Sequence, residues 1–374
     1  MSKARRILRT VAAFVLAVAL LELGAYGVRR VLIPPKWSVD KHNRMPRGFD
    51  GVIDYADIVK GRGAQLGWLT VNRFGLRGPE PKADNTRRPG RLRVYCLGSS
   101  TTFGWGATND STTYPAQLQQ YLQALMPDTA VEVINGGIPG NSSRGDLGIL
   151  REDVPRFTPD VVVLWSGWPD WGHYLQSETP GKRAIGFAYI AQAAATVSAG
   201  IQGQIEKTSI YRDVTYVRDA VTPRADPPSD EELARRPGVE AFHPESLTFF
   251  SANLTAMIDV CKKEGATPIV LGLPTPLRHP PNELSALARR QGASRLFPFE
   301  FASRDDLYRS ILDVEKTIAT IAQTAGVQYT GAAQLPDGPE LFIDGIHLND
   351  AGYSELAKTL APIVKSVAEQ HEEK

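Results

Sequence analysis

Two polar stretches far apart in the sequence contain the residue types of nucleophilic catalysis. In the first, Gly98-Ser99-Ser100-Thr101-Thr102 follows the apolar run 94–97. In the second, Asp344 precedes His347 in the segment Phe-Ile-Asp-Gly-Ile-His. A serine becomes a nucleophile when a base takes its proton, and that base needs an acceptor that orients it. We therefore predict Ser100 as nucleophile, His347 as general base, and Asp344 or a neighbouring carbonyl as the orienting acceptor.

The tetrahedral intermediate of such a reaction also needs hydrogen-bond donors for its oxyanion. Ser100 and Gly140 are the candidates, because each lies in a turn that follows a predicted strand. Their backbone N–H groups are predicted to form the oxyanion hole.

Each stretch also has a simpler interpretation. Residues 98–102 alone could cradle a phosphate or cap a helix, but the chain has no Walker-type lysine to accompany them. Asp344 and His347 alone could bind a metal or brace a loop. A shared position with Ser100 at one sheet edge favours the triad, which requires no metal and no organic cofactor.

The elements that must position these residues alternate between short apolar runs and helical patterns. Strands are predicted at residues 92–97, 131–134, 160–165, 267–273 and 327–330. Helices are predicted at residues 115–126, 143–157, 247–263, 304–325 and 351–369. This alternation predicts an α/β fold with three α/β/α layers and a five-stranded, parallel, doubly wound, flavodoxin-like sheet. In such sheets the site lies beyond the carboxyl ends of the strands, where both polar stretches fall.

The pattern of apolar and basic residues predicts that residues 1–30 are a membrane anchor. Residues 10–28 are apolar except for Glu22, and basic residues flank them on both sides. A helix of that length reaches about 28 Å, close to the thickness of a bilayer core. The basic leading flank predicts a single-pass protein of the bacterial inner membrane with its body in the periplasm. A cleaved signal peptide is the alternative, but no small-x-small cleavage site precedes Arg29.

The remaining segments and the composition complete the predicted organisation. Residues 31–90 are a spacer with a short strand or hairpin at 66–78, residues 91–370 form the main domain, and residues 175–244 are a helical or irregular cap insertion. A net charge of +1 gives no field that would attract nucleic acid. Cys96 and Cys261 have no metal-ligand spacing and are predicted to be buried free thiols.

Several short sequence blocks, which include the two polar stretches, resemble those of SGNH/GDSL-type hydrolases, a superfamily of esterases and lipases. The first block is residues 98–102, with Ser99 where the name-giving aspartate stands, a change that membrane-anchored members tolerate. The second is Asn135-Gly136-Gly137-Ile138-Pro139-Gly140, and the last is Asp344-Gly345-Ile346-His347. The resemblance runs from residue 91 to about residue 361 and leaves the insertion unmatched. It implies the same triad, Ser100 with His347 and Asp344, and Gly140 as an oxyanion donor.

The third block departs from the family pattern. Gly167-Trp168-Pro169-Asp170 has proline where the family has its oxyanion asparagine, and proline has neither a side-chain donor nor an N–H. Asn141 or the Trp168 indole N–H is a possible substitute donor. Trp168 and Trp171 are predicted to lie in a loop and to contact substrate, whereas Trp165 is predicted to be core.

The sequence thus leads to three functional hypotheses. The first is a hydrolase of acyl esters, by resemblance an O-acetylated glycan, a lipid or a small acyl ester, outside the cytoplasmic membrane. The second is an extracytoplasmic O-acyltransferase that uses the same site. The third is a catalytically degenerate, anchored binding module, for which Pro169 is the main support.

Overall fold

The main sheet of the protein has five parallel strands. A computed structural model describes residues 50–54, 65–82, 86–175, 242–285 and 303–372. The strands are β1 (Asp50–Asp54), β2 (Gln65–Thr70), β3 (Arg91–Gly98), β4 (Ala130–Gly137), β5 (Val161–Trp165), β6 (Thr267–Leu271) and β7 (Gln328–Thr330). The last five form the sheet in the order β4-β3-β5-β6-β7, which is the doubly wound, flavodoxin-like order and confirms the predicted α/β class.

Helices cover the sheet on both faces. They are α1 (Ser100–Phe103), α2 (Tyr114–Leu125), α3 (Ser143–Phe157), α4 (Trp168–Leu175), α5 (Pro244–Lys263), α6 (Arg304–Ala325) and α7 (Asp350–Glu372). Right-handed crossovers place α2 and α7 together on one face and α3, α5 and α6 on the other. The three-layer arrangement follows from this order.

The central strands form the core because they are apolar without alternation. Residues 94–97 of β3 and every residue of β5 have no exposed surface. Parallel strands covered by helices on both faces require such continuous apolar runs. Cys96 and Cys261 lie in this core as free thiols, as predicted, and burial raises the pKa of each to about 12.

Local signals in the sequence set the helix ends. Ser303 and Asp306 form a reciprocal capping box at the start of α6, and Gly326 ends that helix with φ +61°. The prediction of a loop at residues 168–171 was wrong, because α4 begins at Trp168. Pro169 stands at the second position of α4, where its missing N–H costs no helical hydrogen bond.

A small antiparallel unit precedes the sheet. β1 pairs with β2, and the chain then turns so that Arg77 bridges both Val71 and Asn135 of β4. The predicted strand at 66–78 is therefore present as β2 and this turn, whereas β1 was not predicted.

The predicted anchor at residues 1–30 and almost all of the predicted insertion lie outside the described residues. Within the ranges that the structure describes, no helix has both the length and the apolar character needed to span a membrane.

Candidate active site

Ser100, His347 and Asp344 form a hydrogen-bonded chain. Ser100 Oγ lies 2.8 Å from Nε2 of His347, and Nδ1 of the same ring lies 2.8 Å from Oδ2 of Asp344. Asp344 and His347 are buried, at 1% and 3% exposed, whereas Ser100 is half-buried. The structure thus brings together the three residues that the sequence predicted as a triad, and it identifies Asp344 as the acceptor rather than a carbonyl.

Asp344 is held as a carboxylate by its own loop. Burial alone would raise its pKa, but the charge and ring N–H of His347 and the backbone N–H groups of Ile346 and His347 outweigh burial and lower the pKa. Both backbone groups donate to Oδ1 at 2.8 Å. Oδ2 is therefore left to face the imidazole, which fixes the ring so that Nε2 points at Ser100.

The nucleophile stands at the first position of a one-turn helix. Because β3 ends at Gly98, Ser100 opens α1, where its N–H has no partner within the helix. Gly137 at the end of β4 allows α1 to pack closely, since a Cβ there would lie 2.0 Å from the Phe103 nitrogen. The turn therefore rests directly on the carboxyl end of the neighbouring strand.

Three contacts fix the loop that contains Asp344 and His347, and two of them come from the segment that follows α1. A Cβ on Gly106 would lie 1.8 Å from the Leu348 carbonyl oxygen, so the chain after α1 touches the chain after His347. Close by, the N–H of Thr108 donates to Asp350 Oδ1 at 2.8 Å. From the opposite side, the buried Thr275 hydroxyl donates to the Gly345 carbonyl at 2.6 Å. These contacts hold the loop in which Asp344 and His347 lie.

Gly140 is exposed in the turn that follows β4. The N–H of Ile138 donates to the Gly98 carbonyl at 2.9 Å, which ties the end of β4 to the end of β3. Two residues later Gly140 has φ +74°, and a Cβ built on it would meet no atom within 4 Å. Its backbone is therefore accessible to a ligand at the edge where Ser100 lies.

Asn141 is buried and oriented by an acid. Its Nδ2 donates to Asp146 Oδ1 at 2.9 Å, and Ser166 Oγ donates to Asp146 Oδ2 at 2.7 Å. Burial, with a smaller contribution from the charge of Asp170, raises the pKa of Asp146 to about 8 against the opposing hydrogen bonds of Ser166 and Asn141. This chain of three side chains joins the turns after β4 and β5, the strands on either side of β3.

The tryptophans of the third block lie in the core. Trp168 and Trp171 are 1% and 0% exposed, and their rings pack edge to face at 5.6 Å. The Trp171 indole donates to Ser310 Oγ at 2.8 Å, whereas the Trp168 indole N–H has no hydrogen-bond partner among the described residues. The predicted contact of these rings with a substrate stays a prediction. Trp165 is fully buried, as predicted.

Asp170 accepts hydrogen bonds from Ser143 and is not a member of the triad. Its two oxygens accept from the N–H and the hydroxyl of Ser143, at 2.9 and 2.6 Å, and Asn253 donates to that hydroxyl. It thus anchors the start of α3. In the described ranges, no group of three or more histidine, cysteine or acidic side chains could hold a metal ion.

Sequence reasoning missed the supporting residues of the site. They include Arg77, Gly106, Asp146 and Thr275. Each acts on a partner that is distant in the sequence or that lies across a loop, so local pattern carries no signal for it. Asp146 is a partial exception, because an acid in a first helical turn beside the Gly140 block could have been considered.

Comparison with known proteins identifies a family. The sequence profile of the GDSL-like Lipase/Acylhydrolase family matches residues 96–354, which is more than half of the chain. None of the curated proteins matches the sequence.

Several solved structures resemble the chain at low similarity. A GDSL-like lipase from Bacteroides thetaiotaomicron is 13% identical with a TM-score of 0.39, covering 76% of this chain and 92% of its own. A putative lipolytic protein of the G-D-S-L family from Desulfitobacterium hafniense is 14% identical with a TM-score of 0.39, covering 73% and 99%. A catalytic mutant of an acetylxylan esterase from Geobacillus stearothermophilus is 15% identical with a TM-score of 0.42, covering 75% and 96%.

The family assignment rests on the profile match, which includes Ser100, Gly140 and His347 within one continuous span. The chain belongs to the GDSL-like lipase/acylhydrolase family.

Proposed function

We propose that the chain is a serine-dependent hydrolase of acyl esters. The observation that carries this proposal is the geometry of Ser100, His347 and Asp344, with both ring nitrogens of His347 in hydrogen bonds of 2.8 Å. The half-buried Ser100 at the carboxyl edge of the sheet is open to a substrate while its two partners are not. Family membership supports the same reaction class.

The proposed reaction follows from these contacts. Ser100 Oγ attacks the ester carbonyl carbon while Nε2 of His347 takes its proton, and Asp344 stabilises the imidazolium that forms. The tetrahedral intermediate collapses, the C–O bond to the alcohol breaks, and His347 gives its proton to the leaving oxygen. Water then attacks the acyl-Ser100 ester with His347 again as base, which releases the carboxylic acid and restores the serine.

The oxyanion hole is proposed to contain three donors. The N–H groups of Ser100 and Gly140 are the first two, since one opens α1 and the other lies in the exposed turn after β4, the strand next to β3. Asn141 is the third, in place of the asparagine that Pro169 replaces. An amide nitrogen carries two N–H groups, and Asp146 accepts from Asn141 Nδ2 through only one of them. The Trp168 indole N–H, which has no hydrogen-bond partner among the described residues, is the alternative donor.

Covalent labelling tests the proposed nucleophile. The protein is treated with a fluorophosphonate probe and assayed with p-nitrophenyl acetate, alongside Ser100→Ala and the neighbouring Ser99→Ala. We expect labelling and hydrolysis to be lost in Ser100→Ala and kept in Ser99→Ala. A wild type that neither labels nor turns over would instead support the degenerate binding module. If labelling and hydrolysis were lost only in Ser99→Ala, the nucleophile would be Ser99 and the assignment of Ser100 would be wrong.

A second assay separates hydrolysis from acyl transfer. With an O-acetylated donor and an added glycan, release of acetate is compared with formation of a new acetyl ester on the acceptor. Predominant release of acetate supports the hydrolase, and predominant transfer supports the acyltransferase alternative. O-acetylated glycans and lipid esters are the substrate classes we propose to test first.

We further propose that the site acts outside the cytoplasmic membrane. The support is the apolar run at residues 10–28 between basic flanks. An alkaline phosphatase fused after residue 90 should be active in a bacterial host, whereas a fusion after residue 8 should not. An inactive fusion after residue 90 would contradict this location.

A further inference from the structure

Arg77 lies outside the polar blocks and reaches the helix of the nucleophile. Its side chain is 2% exposed, and its Nη1 donates to the Gly104 carbonyl at 2.8 Å and to the Phe103 carbonyl at 3.2 Å. The same guanidinium lies over the ring of Phe103, with its carbon 5.2 Å from the ring centroid. A buried cation thus donates hydrogen bonds to the carbonyl end of the one-turn helix that begins at Ser100.

Helix α1 lacks the usual sources of helix stability. It has four residues, its N-cap Ser99 makes no side-chain capping hydrogen bond, and it has no acidic residue in its first turn. A single helical turn is unstable on its own, because nucleation costs more than its few hydrogen bonds return. A cation at the carbonyl end of a helix satisfies unpaired oxygens and opposes the negative end of its dipole. Arg77 supplies both effects.

Arg77 is itself fixed by a second charge. Its Nε donates to Asp110 Oδ1 at 2.8 Å, and Asp110 Oδ2 accepts from the Thr70 N–H at 2.9 Å and from the Thr70 hydroxyl. The backbone of Arg77 bridges Asn135 of β4, whose side-chain amide also donates to the Phe103 carbonyl. Through its side chain and its backbone, Arg77 therefore joins the segment after β2, the edge strand β4 and the nucleophile turn.

We propose that Arg77 is a positioning residue of the nucleophile. It holds α1 so that Ser100 Oγ stays at 2.8 Å from His347 Nε2 while the Ser100 N–H faces the oxyanion. This inference rests on the proposed function, since it concerns the same serine. A misplacement of about 1 Å at a reacting group can cost on the order of 10²-fold in rate. Arg77→Met should therefore lower kcat by about 10- to 100-fold and leave KM within about threefold.

Arg93 offers a matched control. Its side chain is fully buried, pairs with Glu132 at 2.6 Å, and donates to the carbonyls of Lys82 and Phe157. It lies near the start of β3, at the sheet edge away from Ser100. Arg93→Met thus removes a buried, paired guanidinium without touching α1.

The experiment compares Arg77→Met and Arg93→Met at a temperature where circular dichroism shows both folded. The measurements are kcat and KM for p-nitrophenyl acetate and the rate of fluorophosphonate labelling. We expect both variants to melt earlier than the wild type but only Arg77→Met to lose kcat and labelling rate. Equal losses in both variants, or none in Arg77→Met, would overturn the role of Arg77.

Hydrogen exchange gives a readout that needs no activity. The N–H groups of Phe103, Gly104 and Trp105 bond to the carbonyls of Ser99 and Ser100. In Arg77→Met these amides should exchange at least about tenfold faster than in the wild type, and in Arg93→Met they should not. Unchanged exchange would refute the proposal even if no ester is hydrolysed, whereas an inactive wild type would count against the proposed function alone. If Arg77→Met fails to fold, Arg77→Lys and Arg93→Lys take the same tests.

Discussion

At the residue scale, Asn141 is proposed to supply the hydrogen bond that Pro169 cannot. The structure buries Asn141 beside Gly140 and fixes its amide on Asp146. Asn141→Ala should lower kcat by about 10²–10³ with little change in KM, which is the usual cost of one oxyanion donor. Steady-state kinetics with p-nitrophenyl acetate measures this loss.

Pro169→Asn is the companion variant for that prediction. It restores the residue type of the family's third block, so it should recover part of the activity lost in Asn141→Ala. In the wild-type background it should change kcat little, because the donor is already present. A rise by orders of magnitude from Pro169→Asn alone would show that Asn141 does not serve as the donor.

Asp146 is expected to make the free energy of unfolding fall as pH rises. Its pKa is about 8 in the folded protein against 3.8 for the ordinary side chain. Between those values the unfolded chain releases a proton that the folded chain keeps, so the contribution of Asp146 to stability is full below about pH 4 and is lost as pH rises through 8. Asp146→Asn has no proton to release and keeps an oxygen for Asn141.

We therefore expect Asp146→Asn to melt at a higher temperature than the wild type at pH 7 to 8 and at the same temperature near pH 3.5. Melting curves across this range test the difference. Asp153→Asn is the control, because Asp153 is also buried on α3 but accepts from the Tyr95 hydroxyl and faces Arg156. A pH dependence that is identical in wild type and Asp146→Asn would contradict the prediction.

At the element scale, the two catalytic loops are packed against each other through Gly106. A Cβ there would lie 1.8 Å from the Leu348 carbonyl oxygen, and Leu348 follows His347 directly. Gly106→Ala must push the two loops apart, which lengthens the Ser100–His347 hydrogen bond. We expect kcat to fall at least about tenfold, measured by ester hydrolysis and by the rate of fluorophosphonate labelling.

Gly326→Ala controls for a general loss of stability. Gly326 has φ +61° at the end of α6, so alanine is strained there, but this end of α6 leads into β7 at the sheet edge opposite the site. It should lower the melting temperature and keep kcat. Equal kcat values for Gly106→Ala and Gly326→Ala would mean that the contact with Leu348 does not set the geometry of the triad.

The elements also show what sequence pattern can and cannot provide. Continuous apolar runs predicted β3 and β5, and the short spacing of Asp344 and His347 made Asp344 a candidate acceptor for the ring, because these signals are local. α4 was missed because Pro169 is typical of a turn, although proline is equally suited to a first helical turn. The contacts of Arg77 with Gly104 join residues that only the folded chain brings together, so no pattern in the sequence predicts them.

At the scale of the whole molecule, the segment before the predicted main domain contributes buried apolar side chains, of which Leu76 belongs to the main core. Leu69, Val71 and Leu76 are at most 3% exposed, and Arg77 follows them at the nucleophile turn. Burial of each such side chain is worth about 1.5–3 kcal/mol. Their combined contribution is comparable with the 5–15 kcal/mol by which a domain is typically stable.

Two shortened chains test whether this segment is needed. A chain that begins at residue 91 contains the whole family match at 96–354 but lacks the three apolar side chains and Arg77. We expect it to melt at a much lower temperature than the full chain or to aggregate. The truncation exposes the apolar surface that these side chains cover, and it removes the hydrogen bonds of Arg77 to the nucleophile turn. A chain that begins at residue 65 retains β2 and Arg77 and should keep most of the kcat. Equal melting temperature and kcat in the two shortened chains would mean that residues 65–90 are dispensable, and that the nucleophile turn is held by the sheet alone.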